Sequence, residues 1–228
     1  MLSTGTNVEK MRSPLVRWPA LGLLLGSVQL FVAMAVEQSL RPGYSDFGNT
    51  ISDLGVGPYS WIFNTSVILL GVFGFLGVLF LSQVFPRRRL AWVAEGFLLV
   101  GTLGAVAVGL FPEPSTALWG QAHDAASVIT FLDANLGLFL MGLAMFRDGT
   151  WGKYASLTTF LGAFSTIALA FYISNFLSHG NYLGLGEGGL ERVVAFPVLI
   201  WAIVVGVIIL SFRDVSSAVH PPPAPEPA

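Results

Sequence analysis

Cysteine is absent from all 228 residues. That absence removes disulfides, thiolate metal sites, thiolate haem ligation and cysteine nucleophiles together. Charge is nearly as scarce, at 11% of residues, where a soluble globular domain usually carries about 25%. The formal net charge is -2, and apart from Arg87, Arg88 and Arg89 there is no basic cluster. Nucleic acid is therefore excluded as a partner.

What is present is apolar. Hydrophobic residues make up 54% of the chain and the mean hydropathy is +0.73. This apolar content falls in long runs, and about 20 apolar residues suffice to cross a bilayer as a helix. The runs predict six transmembrane helices over 16–37, 60–84, 90–110, 124–146, 154–177 and 191–212. The fold class is an all-α polytopic membrane bundle. Residues 1–15 are expected to form a polar cytoplasmic segment, 16–212 the membrane domain, and 213–228 a proline-rich disordered cytoplasmic tail. The first run is longer than a signal-peptide core, so it reads as a retained helix.

Orientation follows from the basic residues. With an even helix count, all of them except Arg41 and Arg192 fall on the side that carries both termini. The positive-inside rule makes that side cytoplasmic and the cell membrane the expected location. Glycines such as Gly22 with Gly26, and Gly71, Gly74 and Gly77, read as close helix packing in lipid.

The opposite side collects the acids and histidines. Glu37, Asp46, Asn49, Asp53, Glu113, His123, Asp124, His179, Glu187, Glu191 and Arg192 all lie at helix ends or in loops there. In the fourth helix His123, Ser127, Thr130, Ala134 and Gly137 recur at helical spacing, a polar and small stripe running into the bundle. Asp133 lies beside that stripe, roughly 15 Å deep by helical rise. An ionised carboxylate there is costly against lipid, so Asp133 is expected to face the interior and be neutral. In the fifth helix Tyr172, Asn175 and His179 share a face. Together these predict an outward-opening polar cavity between the fourth and fifth helices. The loop 38–59 carries Ile51, Leu54 and Val56 among polar residues, and should fold back over the helix ends.

Three motifs carry less than their letters suggest. Residues 184–189 fit a G-x-G-x-x-G spacing, but join two membrane helices rather than following a buried strand. Asn64, Thr65 and Ser66 form a glycosylation pattern inside a span. Ser52, Asp53 and His123 supply the residue types of a serine hydrolase without the geometry that defines one.

The segment Asn49-Thr50-Ile51-Ser52-Asp53-Leu54-Gly55, the later Gly109-Leu110-Phe111-Pro112 followed by His123, and Gly189-Leu190-Glu191-Arg192 resemble motifs of a prokaryotic six-helix membrane family, domain of unknown function 998. The resemblance covers about residues 15–212. It implies the six-helix fold and motifs gathered on the outer side, and no reaction.

Three functions compete. The first is hydrolysis of a lipid or lipid-linked substrate at the outer leaflet, with Asp53, His123, His179 and Glu191 as catalytic groups. Ser52, Asp124, Asp133, Asn175 and Arg192 would support them. His123, His179 and Asp53 are also the candidate ligands of a divalent metal such as zinc, which would lower the pKa of a bound water. The second is an accessory subunit packing on a membrane-protein partner or on a second copy. The third is a proton-coupled transporter that titrates Asp133.

Overall fold

A computed structural model describes residues 13–81, 83–84, 88–113, 117–148 and 151–211. The expected tail from 213 onward and residues 1–12 lie outside the described residues. Six helices are long and apolar enough to cross a membrane. They are α1 (Pro14–Ser39), α2 (Ser60–Leu81), α3 (Arg89–Leu110), α4 (Ala117–Asp148), α5 (Lys153–Ser178) and α6 (Gly186–Ser211). Short 3-10 turns at Ser52–Gly55 and Tyr182–Gly184 interrupt two of the connections, and no strand occurs among the described residues.

The helices begin where capping chemistry allows. At α1 the Ser13 hydroxyl accepts the Leu15 N–H at 3.3 Å and Pro14 opens the helix, where its missing N–H costs nothing. Helices α4 and α6 start earlier than the apolar runs imply, at Ala117 and Gly186. Hydropathy marks the lipid-crossing part of a helix, and these two project beyond it.

Each helix packs on its neighbours in sequence, and α6 returns to α1 to close the ring. Small residues permit the close approaches. A Cβ on Gly71 would lie 2.6 Å from the Thr102 carbonyl oxygen, and one on Gly162 would lie 2.3 Å from the Phe139 nitrogen. The expectation that glycine serves packing holds at these crossings.

Two ends of the bundle can be told apart. One, the arginine end, carries Arg88, Arg89, Arg147 and Lys153 at helix termini. The other, the loop end, carries the 40–59 connection. Trp18 and Trp92 stand exposed near the first and Trp61 near the second, at 72%, 65% and 68%. Exposed indoles toward both ends of an apolar band are the pattern of side chains seated at two lipid–water interfaces.

Candidate functional site at the loop end

The 40–59 connection is fastened by two arginines. Glu37, fully buried on the last turn of α1, pairs with Arg41 at 2.7 Å. It also accepts the Phe63 N–H of α2 at 3.1 Å. The Arg41 guanidinium then donates to the carbonyls of Asp53 at 2.6 Å, Leu54 at 3.0 Å and Val56. These carbonyls leave the 3-10 turn with few helical partners of their own, and one cation satisfies several of them. Leu54 and Ile51 are thereby buried, while Val56 remains 40% exposed. The expected docking of this loop holds for the first two side chains and not for the third.

Arg192 is the second fastener. It pairs with Asp46 at 2.8 Å and donates to the main-chain oxygens of Asp46 and Asn49 at 3.0 and 2.9 Å, and to the Tyr44 hydroxyl at 2.8 Å. The glycines before it now have a purpose. The N–H groups of Gly188 and Gly189 donate to Phe47 O at 3.0 and 3.3 Å, and a Cβ on Gly188 would sit 1.8 Å from Asn49 O. The dinucleotide-like spacing is a seat for the loop backbone.

Glu191 points the other way, into the bundle. It is 3% exposed and accepts the Ile51 N–H and, at 3.4 Å, the Ser52 hydroxyl. Asp53, one residue on, is turned back onto its own loop, accepting from Asn49 Nδ2 at 2.9 Å and Thr50 N–H at 3.0 Å. His123 is buried at 3%. Its Nδ1 lies 2.8 Å from Phe111 O, and its Nε2 lies 4.0 Å from Glu113. Because a carbonyl only accepts, Nδ1 carries the hydrogen, and Nε2 is the ring atom left facing Glu113.

Glu113 is the member of this cluster that the sequence left without a role. Burial pushes its carboxyl above the usual carboxylate range; His123 opposes this, while the carboxylates of Asp53, Asp124 and Glu187 add to it. At a pH between its unfolded and folded pKa values, the folded protein keeps a proton here that the unfolded chain releases. That contribution to stability is present below the unfolded pKa and is lost as pH rises through the folded one. Melting curves against pH should show this decline, and Glu113→Gln should flatten it; an unchanged slope would remove Glu113 as its source.

Among the described residues, none of the remaining expected side chains hydrogen-bonds Glu191. His179 is exposed and caps α5 in a left-handed conformation, φ 52°. Asn175 accepts the Tyr182 N–H at 3.0 Å, and the Tyr172 hydroxyl reaches Glu187 at 3.5 Å. The α5 face thus braces the connection into α6. Asp124 is exposed, and Asp133 is half-buried. Among the described residues no group of three His, Asp or Glu is arranged to hold a metal ion. Of the three expected ligands, Asp53 is committed to its loop, His179 is exposed, and His123 has Nδ1 engaged by Phe111 O.

A cavity of about 140 Å³ lies inside the bundle. It is lined from α1, α2, α3, α4 and α6 and from the loop at Ile51 and Ser52, with no contribution from α5 among its lining residues. The cavity expected from the sequence lay between the fourth and fifth helices; this one takes a wall from α4 and none from α5. It also differs in character from the polar one expected, since aliphatic and aromatic side chains such as Leu30, Phe63, Val108 and Leu199 dominate the walls. The predicted stripe on α4 does face inward, for Ser127, Thr130 and Ala134 all line the space. Asp133 does not, and its neighbour Asn135, 1% exposed, takes that place. Ser52 and Glu191 close the cavity at the loop end.

The docked loop makes a labelling prediction. In this cysteine-free chain, a cysteine introduced at Leu54 (0% exposed) should resist thiol reagents in membranes, while one at Phe47 (64% exposed) should react quickly. Equal rates would mean the loop is not docked.

Six apolar helices of spanning length around a common core define a multi-pass membrane protein. The chain belongs to the family described as Protein of unknown function (DUF998), whose model matches residues 24–208, from within α1 to within α6. No curated protein and no solved structure matches it.

Proposed function

We propose that this protein binds a membrane lipid inside the bundle, with the hydrocarbon tail in the central cavity and the polar head at Ser52 and Glu191. The carrying observation is an apolar cavity that ends, at one extremity, on a buried carboxylate and a hydroxyl. Apolar walls favour a tail without selecting its length, and a few polar groups at one end set the orientation. Charge narrows the head. Glu191, Glu113, Asp53, Asp124 and Glu187 gather there, while Arg41 and Arg192 are consumed by the loop. A neutral or amine-bearing head suits that end, and a phosphate does not. The basic residues at the arginine end support a topology with both termini cytoplasmic and the Glu191 end outward.

Native mass spectrometry of the purified protein tests the reading. Lipid adducts carrying neutral or amine heads are expected to be retained over phosphatidylglycerol. Ala105→Phe, which places a ring where a buried cavity-lining methyl stands, is expected to abolish them. Retention of the adducts in a folded Ala105→Phe protein would place the lipid elsewhere.

Hydrolysis of the bound lipid is a second reading, favoured by the Ser52 to Glu191 contact inside the cavity. Glu191 would take the Ser52 proton as Oγ attacks an ester carbonyl. The alcohol leaves with a proton, and water releases the acid from the acyl-serine. A fluorophosphonate that labels wild type and not Ser52→Ala would support this; absence of labelling on wild type would leave binding alone. A carrier or accessory role draws less support, because Asp133 lies off the cavity wall and the polar groups converge at one end.

A further inference from the structure

Two residues that line the cavity each carry a buried polar atom with no hydrogen-bond partner among the described residues: Ser27 Oγ on α1 and Asn135 Oδ1 on α4. Ser27 is 0% exposed and Asn135 1%, and both line the space. The amide nitrogen of Asn135 is held by Val194 O at 3.3 Å, which turns the carbonyl oxygen, an acceptor only, to the remaining side. A buried polar atom left alone costs about 1–3 kcal/mol, and such atoms in native proteins are usually satisfied by a partner or an ordered molecule. Neighbouring hydroxyls do not serve. Thr130 and Thr102 already donate to carbonyls of their own helices, at 2.8 and 2.7 Å.

Depth can be read along the helices. Asn135 meets α6 at Val194, one turn or about 4.5 Å beyond Glu191. Ser27 lies seven residues below Met34, which packs in one cluster with Ile51 at the loop end, a rise of about 10 Å. The unmet atoms therefore stand below the head position, within the stretch a hydrocarbon tail would cross.

We infer that the ligand is a neutral amphiphile bearing a second hydrogen-bond donor, a hydroxyl, along its chain about 5–10 Å from its polar head. This hydroxyl donates its one hydrogen to Asn135 Oδ1 and accepts a hydrogen bond from Ser27 Oγ. The inference rests on the lipid-binding reading and sharpens it. It converts an unspecific greasy cavity into one that selects, since a site built to hydrogen-bond a hydroxyl discriminates against the analogue lacking it.

Stearyl alcohol and its analogue carrying one further hydroxyl on the seventh carbon form the test pair, offered to the detergent-solubilised full chain and quantified by native mass spectrometry. Wild type is expected to bind the hydroxylated alcohol about tenfold more tightly, the scale of one net buried hydrogen bond. Ser27→Ala and Asn135→Leu are each expected to cut the ratio of the two affinities toward one. Equal binding of both alcohols by wild type overturns the inference, with water then satisfying the two atoms, and leaves the lipid-binding reading standing. Binding of neither alcohol, alongside retained lipid adducts, overturns the inference alone. Binding of neither alcohol with no retained adducts overturns both. Because wild type supplies the deciding comparison, a variant that fails to fold does not shelter the proposal.

Discussion

Arg41→Ala is expected to lower stability by about 3 kcal/mol, the usual cost of stripping one partner from a buried ion pair. Glu37 is fully buried, and Arg41 supplies its only cation among the described residues, at 2.7 Å. The same substitution frees the carbonyls of Asp53, Leu54 and Val56. Thermal unfolding in detergent reads the loss. Replacing both residues, as Glu37→Leu with Arg41→Leu, should recover a good part of it, because no orphaned charge remains inside. A single variant melting like wild type would mean that Glu37 is solvated and the loop is held by something else.

Gly188→Ala should be almost as damaging. The added methyl would fall 1.8 Å from Asn49 O, and a main-chain carbonyl cannot swing aside as a side-chain tip does. The expected cost is about 3 kcal/mol, at the upper end for overpacking, or detachment of the loop from α6. Detachment has its own readout: a cysteine at Leu54 becomes reactive in the Gly188→Ala background. Gly96→Ala is the control. A Cβ on Gly96 would meet nothing within 4 Å, and alanine is the better helix former by about 1 kcal/mol. Equal effects of the two substitutions would show that helix propensity, not the loop seat, governs both.

The helices were legible because a bilayer imposes one strong rule, a run of apolar residues of fixed length. The inward face of α4 was legible too, since Ser127, Thr130 and Ala134 repeat at helical spacing. Asp133 was not, because neighbouring positions on a helix point about 100° apart. Depth alone made it look interior, while Asn135, two residues on, took the wall. The central cavity escaped for a related reason. Polar letters advertise sites, whereas an apolar void is bounded by the same residues that make a packed core. Glu37 and Arg41 did carry a local signal, their four-residue spacing across the end of α1, but nothing in that spacing reveals that Glu37 is buried. Glu113 depended on its distance to His123, which links the end of α3 to the start of α4 across residues that no periodicity connects.

Arg192 holds the loop at Asn49 across 143 positions of sequence. At a synthesis rate of about 5–20 residues per second, roughly 7–30 s separate the emergence of the two. For most of that interval the first two helices are already made, with their connecting segment held by Arg41 but not yet by Arg192 and the Glu37 end of the bundle open. Biogenesis thus ends with a closing step rather than proceeding helix by helix to completion. A nascent chain arrested before α6 should display the Asn49 to Gly55 segment to protease, and release of the finished chain should conceal it.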